Sequence, residues 1–304
     1  MPATLQAFIA IFFHGALLRS SGLLVKIHAE RLAFVVFSIS LPATILVSLD
    51  RVVFAPTAWK LPLAACLVTL SMLFCSWPVA RLLHLPRATR GGFLLGTGCI
   101  NSVYFAYPVV LATLGDKGLA QAILFDLGQT TLTLTVIYGL AVWHGARSAT
   151  ARSAMLRFVS SPPLWALCLS LLLTLLERHL PGWLHDTLTP IHLTTTPLAS
   201  LVLGLSISFS AVRRTWALAL LGVGMRMIGG LLLGFAVAYG LDLAGMERAI
   251  VILVAAMPSA VTAVIFATDT GLDEDLVTSI VALSICVGVA LLPWLPQLLF
   301  LLAG

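Results

Sequence analysis

Ala255-Ala-Met-Pro258-Ser-Ala-Val-Thr-Ala-Val-Ile-Phe-Ala267 reads as a membrane-spanning segment with a proline near its middle. A mid-helix proline removes one backbone donor and crowds the carbonyl four residues back. In hydrocarbon every N–H and C=O needs an internal partner. Such a break is tolerated only where neighbouring helices, ordered water or a bound solute satisfy the freed groups. A second hydrophobic segment carries the same feature at Pro108, 150 residues earlier. Interruptions at corresponding places in two halves of a chain point to a solute site at the bilayer midplane.

The surrounding sequence fits a polytopic membrane protein. Of 304 residues, 60% are hydrophobic and 10% charged, where a soluble domain carries about 25% charged residues. The mean hydropathy is +1.07. These values exclude a soluble globular protein. A spanning helix needs about 20 mostly apolar residues, and the chain divides into ten such spans: 4–22, 30–49, 61–83, 91–114, 118–143, 158–177, 188–210, 215–240, 247–270 and 275–302.

The net charge of +5 does not indicate a nucleic-acid partner, because the basic residues sit in loops. Eleven flank or fill odd-numbered loops: Arg19, Lys26, Arg31, Arg81, Arg87, Arg90, Arg147, Arg152, Arg157, Arg213 and Arg214. Five occupy even-numbered loops: Arg51, Lys60, Lys117, Arg178 and Arg248. Positive loops stay cytoplasmic, so both termini are expected outside, on the periplasmic face of an inner membrane. The first basic residue, Arg19, follows the first apolar stretch rather than preceding it. That stretch therefore reads as a retained span and not as a cleaved signal.

Cys66, Cys75, Cys99, Cys168 and Cys286 all fall inside predicted spans, without metal-binding spacing. They read as packing residues. Trp59, Trp143, Trp165, Trp216 and Trp294 lie near span ends, as an interfacial aromatic belt does.

Segments 1–5 superpose on segments 6–10 as sequence. Pro42 corresponds to Pro197, Pro108 to Pro258, and Gly118-Leu119 to Gly271-Leu272, at offsets of 155, 150 and 153 residues. Five spans per half force opposite orientations. The expected fold is thus all-α, with ten transmembrane helices in two inverted five-helix repeats, 1–145 and 146–304. Gly92-xxx-Gly96 and Gly230-xxx-Gly234 add close-packing spacings.

The same residues carry a family resemblance. Segment 4 reads Asn101-Ser-Val-Tyr-Phe-Ala-Tyr-Pro108, followed by Gly115-Asp-Lys-Gly118-Leu and Asp126. Segment 2 contains Ser40-Leu-Pro42, and segment 9 contains the Ala-Met-Pro258 stretch and then Gly271 with an acidic turn. This pattern resembles the auxin efflux carrier family, which includes bacterial members and the plant PIN-type carriers. The likeness covers nearly the whole chain, without the long central loop of many plant members. Tyr104 and Phe105 replace glycines common between the asparagine and the proline. The resemblance implies a scaffold part and a transport part, with broken helices 4 and 9 crossing as in bile-acid transporter and Na+/H+ antiporter folds. It also implies elevator-type transport of small organic anions, including auxins and dicarboxylates.

Several side chains are candidates for solute contact or coupling. The Asn101 amide offers two donors and an acceptor, so it can hold a carboxylate without burying a charge. The other reading is an interhelical hydrogen bond. Pro108 and Pro258 shape the site by exposing half-helix N-termini, each with about half a positive charge. Ser259 and Thr262 can donate hydroxyls there or bond back to their own helix. Asp126 and Arg226 are the charged outliers within spans, where a charge costs at least about 2.5–3.5 kcal/mol. They either pair with each other, or Asp126 carries a coupling proton, or they lock the fold. His14 and His192 could relay protons or mark span ends. Gln129, Thr130 and Thr131 read as polar links between helices.

Other chemistries find no support. No phosphate-binding Gly-x-x-x-x-Gly-Lys loop and no His-Glu-x-x-His motif occurs. Gly204-Leu-Ser206 lacks the later histidine that an intramembrane serine protease needs, since all seven histidines precede residue 193. A channel would show charged rings or a filter loop. The expected protein is a secondary transporter, not an enzyme, with no cofactor or metal. Its partners would be the lipid bilayer, an organic anion, protons and a second copy in a homodimer. A sodium-coupled symporter of bile-acid transporter type is the alternative.

Overall fold

The computed structural model describes all residues except 1, 25, 51, 53–55, 148–155, 157–158, 208–210 and 296–304. Arg51, Arg152 and Arg157, residue 158, and the ends of the seventh and tenth predicted spans lie outside the described residues.

The described residues are helical, and they order as follows. Helix α1 is Ala3–Ser20, α2 is Lys26–Val35, and a π turn Val36–Ser40 leads into α3, Leu41–Leu49. Then come α4 (Lys60–Leu82) and α5 (Arg87–Gly98). A π turn Ser102–Ala106 opens α6 (Tyr107–Leu132), and another, Thr133–Ile137, leads to α7 (Tyr138–His144). Helix α8 is Pro162–Leu175 and α9 is Gly182–Ser206. A π turn Met225–Gly229 joins α10 (Val212–Gly224) to α11 (Gly230–Gly240). Last are α12 (Gly245–Ala255), α13 (Thr262–Thr270) and α14 (Glu274–Leu291).

Among the described residues, seven helical stretches are long and apolar enough to cross a membrane: Ala3–Ser20, Ile27–Leu49, Lys60–Leu82, Ser102–His144, Gly182–Ser206, Val212–Gly240 and Glu274–Trp294. The chain is therefore an all-α integral membrane protein. The difference from ten uninterrupted spans has physical causes. Predicted spans 4 and 9 are each divided by a non-helical break. Their first pieces, α5 and α12, have 12 and 11 residues, and 12 residues reach only about 18 Å, short of a hydrocarbon core of about 30 Å. The second piece of span 4 joins span 5 through a non-helical turn at Gly115, and the two together make up the 43-residue stretch. Helix α8, at 14 residues, is apolar but short.

The breaks are not both placed by proline. Helix α5 ends at Gly98, and the interruption covers Cys99–Asn101, seven residues before Pro108. Pro108 is the second residue of α6, directly after the π turn and Tyr107. Pro42 has the same relation to the π turn Val36–Ser40. A π turn moves the preceding carbonyls out of the α-helical pattern, which relieves the clash a proline ring makes. Pro258, by contrast, does lie in its break, between α12 and α13. The turn ahead of segment 5 is made at Gly115 (φ 67°), and Gly118 sits inside the helix. Gly271 (φ 72°) ends α13 in the left-handed conformation, where a side chain would be strained.

The chain divides into two compact units. One comprises residues 1–58, 103–123 and 156–207. In it α1 packs on α9, and α3 on both α8 and α9. Gly15 and Gly204 let α1 and α9 approach backbone to backbone, and Ser200 Oγ donates to Phe8 O at 2.5 Å. Gly204 is thus a helix-crossing residue and not part of a serine motif.

The other unit comprises 59–102, 124–155 and 208–304. Its apolar centre includes Ala80, Phe93, Ala219, Val223, Leu276 and Ile280. Gly92 and Gly96 face Val277 and Ile280 of α14, and Gly234 faces Ile252 and Ala255 of α12. Lipid tails are as apolar as these side chains, so close van der Waals contact holds the unit together. Asp273 caps α14 by accepting from Leu276 N, and Glu274 and Asp275 fill its first turn. The acidic turn is therefore a helix start of the kind the macrodipole favours. Each unit draws residues from both halves of the sequence.

Candidate functional site: the meeting of two broken segments

Within the second unit, the break after α5 meets the break after α12. Ile100 and Ser259 pair as an antiparallel β-bridge. Asn101 N donates to Pro258 O at 2.9 Å, and Ala260 N donates to Cys99 O at 3.2 Å. Asn101 Nδ2 donates to Ser259 O at 3.3 Å. Ser259 N donates to Ser284 Oγ of α14 at 3.0 Å. The backbone freed at each break is thus largely satisfied by the other, which is why two interruptions tolerate burial where one would not.

The carbonyl ends of α5 and α12 are closed by side chains. Arg226, fully buried in the π turn between α10 and α11, donates Nη1 to Thr97 O at 2.8 Å and Nη2 to Ala255 O at 2.5 Å. Its Nε is buried with no acceptor among the described residues. Gln129 Nε2 reaches Gly98 O at 3.4 Å, and Thr69 Oγ1 donates to Gln129 Oε1. Gln129 is therefore a link between helices. Thr131 instead bonds Leu127 O of its own helix.

Other polar groups at the crossing are held in reserve. Among the described residues, Ser259 Oγ and Ser102 Oγ are buried without a hydrogen-bond partner. The N–H groups of Val261 and Thr262, at the start of α13, make no main-chain hydrogen bond among the described residues. Thr262 itself is exposed. A buried unsatisfied polar group costs about 1–3 kcal/mol, and free N–H groups at a helix start favour anions. This arrangement can receive a solute oxygen.

Asn101, Pro258 and Ser259 are thus brought together, with Arg226 bonded to the last residue of α12 and the penultimate residue of α5. Asp126, in α6, is half-buried and accepts from Thr130 Oγ1 at 3.3 Å. Sequence reasoning missed Ser284, a buried hydroxyl in α14, and the pairing of Arg226 with main-chain carbonyls. The two buried serines of α14, Ser279 and Ser284, were the available signal for the first.

Pro108 and His14 belong to the other unit, where His14 is exposed on α1. Tyr104 and Phe105 also lie there and serve packing. Tyr104 Oη donates to Ala33 O at 3.3 Å, and Phe105 makes an edge contact with Phe8. The same unit holds a buried polar chain. His192 Nε2 lies 3.5 Å from Asp116 Oδ1, and its Nδ1 lies 3.2 Å from Thr44 Oγ1. Thr44 Oγ1 lies 2.7 Å from Thr195 Oγ1, which donates to Ser40 O. A cavity of about 440 Å³ in this unit is lined by Asp50, Ser170, Arg178 and His179 among others.

A crossing of two broken apolar helices with reserved hydroxyls and amides is what a membrane carrier needs, and comparison with known proteins agrees. A family profile described as "Membrane transport protein" matches residues 3–295. The chain belongs to this family, that of the auxin efflux carriers. It is 30% identical over 296 residues to an "Uncharacterized transporter" of Methanothermobacter thermautotrophicus, with 95% of each chain covered. It is 27% identical over 267 residues to another protein of that description from Methanocaldococcus jannaschii, with 85% of each covered. The protein is therefore a multi-pass membrane transporter.

Proposed function

We propose that this transporter moves a small organic anion, a carboxylate of auxin or dicarboxylate type, through the crossing at Ile100 and Ser259. The observation that carries this reading is the buried Ser259 and Ser102 hydroxyls without partners beside the open N–H groups of α13. Those groups are all donors or can act as donors, and a carboxylate is an acceptor. Asn101 supplies the further amide, and Thr262 opens the helix whose positive end faces the solute.

The full architecture is ten membrane-crossing segments in two inverted repeats, 1–145 and 146–304, with segments 4 and 9 broken. The pieces α5, α8 and α12–α13 supply the segments too short to count alone. Transport is elevator-type alternating access, with the unit that bears the crossing carrying the solute. Two compact units, each drawn from both repeats, support this division. The driving force is a proton, held at Asp126, or the solute gradient itself. The protein resides in an inner membrane with both termini periplasmic, and a homodimer is its assembly.

Counterflow in proteoliposomes tests the function. Preloading with unlabelled dicarboxylate should accelerate uptake of labelled dicarboxylate and saturate. Unsaturable flux, or large unitary currents, would indicate a channel instead.

A further inference from the structure

The guanidinium of Arg226 joins two main-chain carbonyls from different helices. Thr97 O belongs to the last turn of α5, and Ala255 O is the last carbonyl of α12. Both helices stop at the crossing, so both point their C-terminal ends at the same place. Each end carries about half a negative charge, and one guanidinium offsets both. Four more carbonyls at the crossing are also engaged. Gly98 O accepts from Gln129, Cys99 O from Ala260, Pro258 O from the Asn101 main chain, and Ser259 O from its side chain. Gly230 leaves the space through which Arg226 reaches Ala255.

Two converging helix ends with clustered carbonyls are the chemistry that takes a monovalent cation in a membrane carrier. We infer that Arg226 is a tethered cation standing where a soluble cation would otherwise bind, so that the crossing assembles without sodium. An arginine cannot lose its proton in a protein, so the charge stays in place at every stage of transport. Asp126 and the solute can then change charge while Arg226 does not. The inference deepens the proposed function, because it fixes which ion the carrier does not need.

Thermal unfolding of the purified full chain, followed by tryptophan fluorescence, tests it without any organic anion. Failure of the carboxylate reading would therefore leave this result standing, and the reverse holds. The wild-type midpoint should stay the same when sodium is exchanged for choline at equal ionic strength. Arg226→Ala should lower the midpoint by about 5 °C or more, and millimolar guanidinium or sodium should restore it saturably while choline does not. A wild-type midpoint that rises saturably with sodium would overturn the inference. So would an Arg226→Ala protein as stable as wild type, or one that no small cation restores. If Arg226→Ala does not fold, Arg226→Lys and Arg226→Met decide the matter. A folded, sodium-indifferent lysine protein beside an unfolded methionine protein upholds the tethered cation. Equal behaviour of the two removes it.

Discussion

Gly230 faces the carbonyl oxygen of Ala255 so closely that a β-carbon at Gly230 would overlap it, and would also stand 2.5 Å from Nη2 of Arg226. The close approach of α11 to α12 and the Arg226 contact thus depend on one missing side chain. Gly230→Ala should destabilise the protein by about 1–3 kcal/mol, the usual cost of forcing atoms into a filled site. Gly224→Ala, in the same span but with open space around it, should be neutral or gain up to about 1 kcal/mol from helix propensity. Thermal unfolding of both variants in detergent measures the contrast. Equal midpoints would mean that the crossing tolerates a wider separation than the structure shows.

Ser284 is the acceptor for the Ser259 main-chain N–H. Ser284→Ala leaves that N–H buried with no partner, at about 1–3 kcal/mol. The lost stability should appear as a lowered unfolding midpoint and as faster amide exchange at Ser259. Unchanged exchange there would show that another acceptor takes over.

The existence of two broken segments was legible in the sequence, but the place of one break was not. Pro258 marks its break directly, because no other feature nearby stops α12. Pro108 misleads, because the π turn Ser102–Ala106 absorbs the proline and the chain opens at Cys99–Asn101 instead. A π turn is one extra residue in a hydrogen-bond register, and side-chain type hardly records it. Asn101 was legible as a polar residue beside a break. Its partner Ser259 followed from the proline, yet the bridge between Ile100 and Ser259 is a long-range pairing that local sequence does not encode. Arg226 was legible as an outlier, and its carbonyl partners were not, since main-chain acceptors have no signature in sequence. The glycine spacings at 92/96 and 230/234 were readable because close helix contact requires small residues.

Thr44 lies at the centre of the buried polar chain in the other unit, touching Thr195, His192 and Ser40. Hydrogen bonds between membrane helices average about 0.6 kcal/mol, with a maximum near about 1.7. Thr44→Val breaks two of them and should cost about 1 kcal/mol. Thr131→Val, which loses only an exposed bond to its own helix, should cost close to nothing. Chemical denaturation of the paired variants compares them, and similar losses would contradict a structural role for the chain.

Asp126 is the half-buried carboxylate proposed to hold the coupling proton. Asp126→Asn should remove the pH dependence of carboxylate uptake in proteoliposomes while leaving counterflow measurable. Retained pH dependence would move the coupling elsewhere and leave the solute gradient as the driving force.

The claim on which the account depends is that the two breaks together form the solute site. Carboxylate-induced thermal stabilisation of the wild type and of Asn101→Ala addresses it directly. The wild type should show a saturable rise in midpoint with a small mono- or dicarboxylate and none with chloride. In Asn101→Ala the apparent affinity should fall about tenfold or more, equivalent to about 1.4 kcal/mol, in a protein that still folds. An undiminished carboxylate response in Asn101→Ala would place the solute away from the crossing and contradict the account.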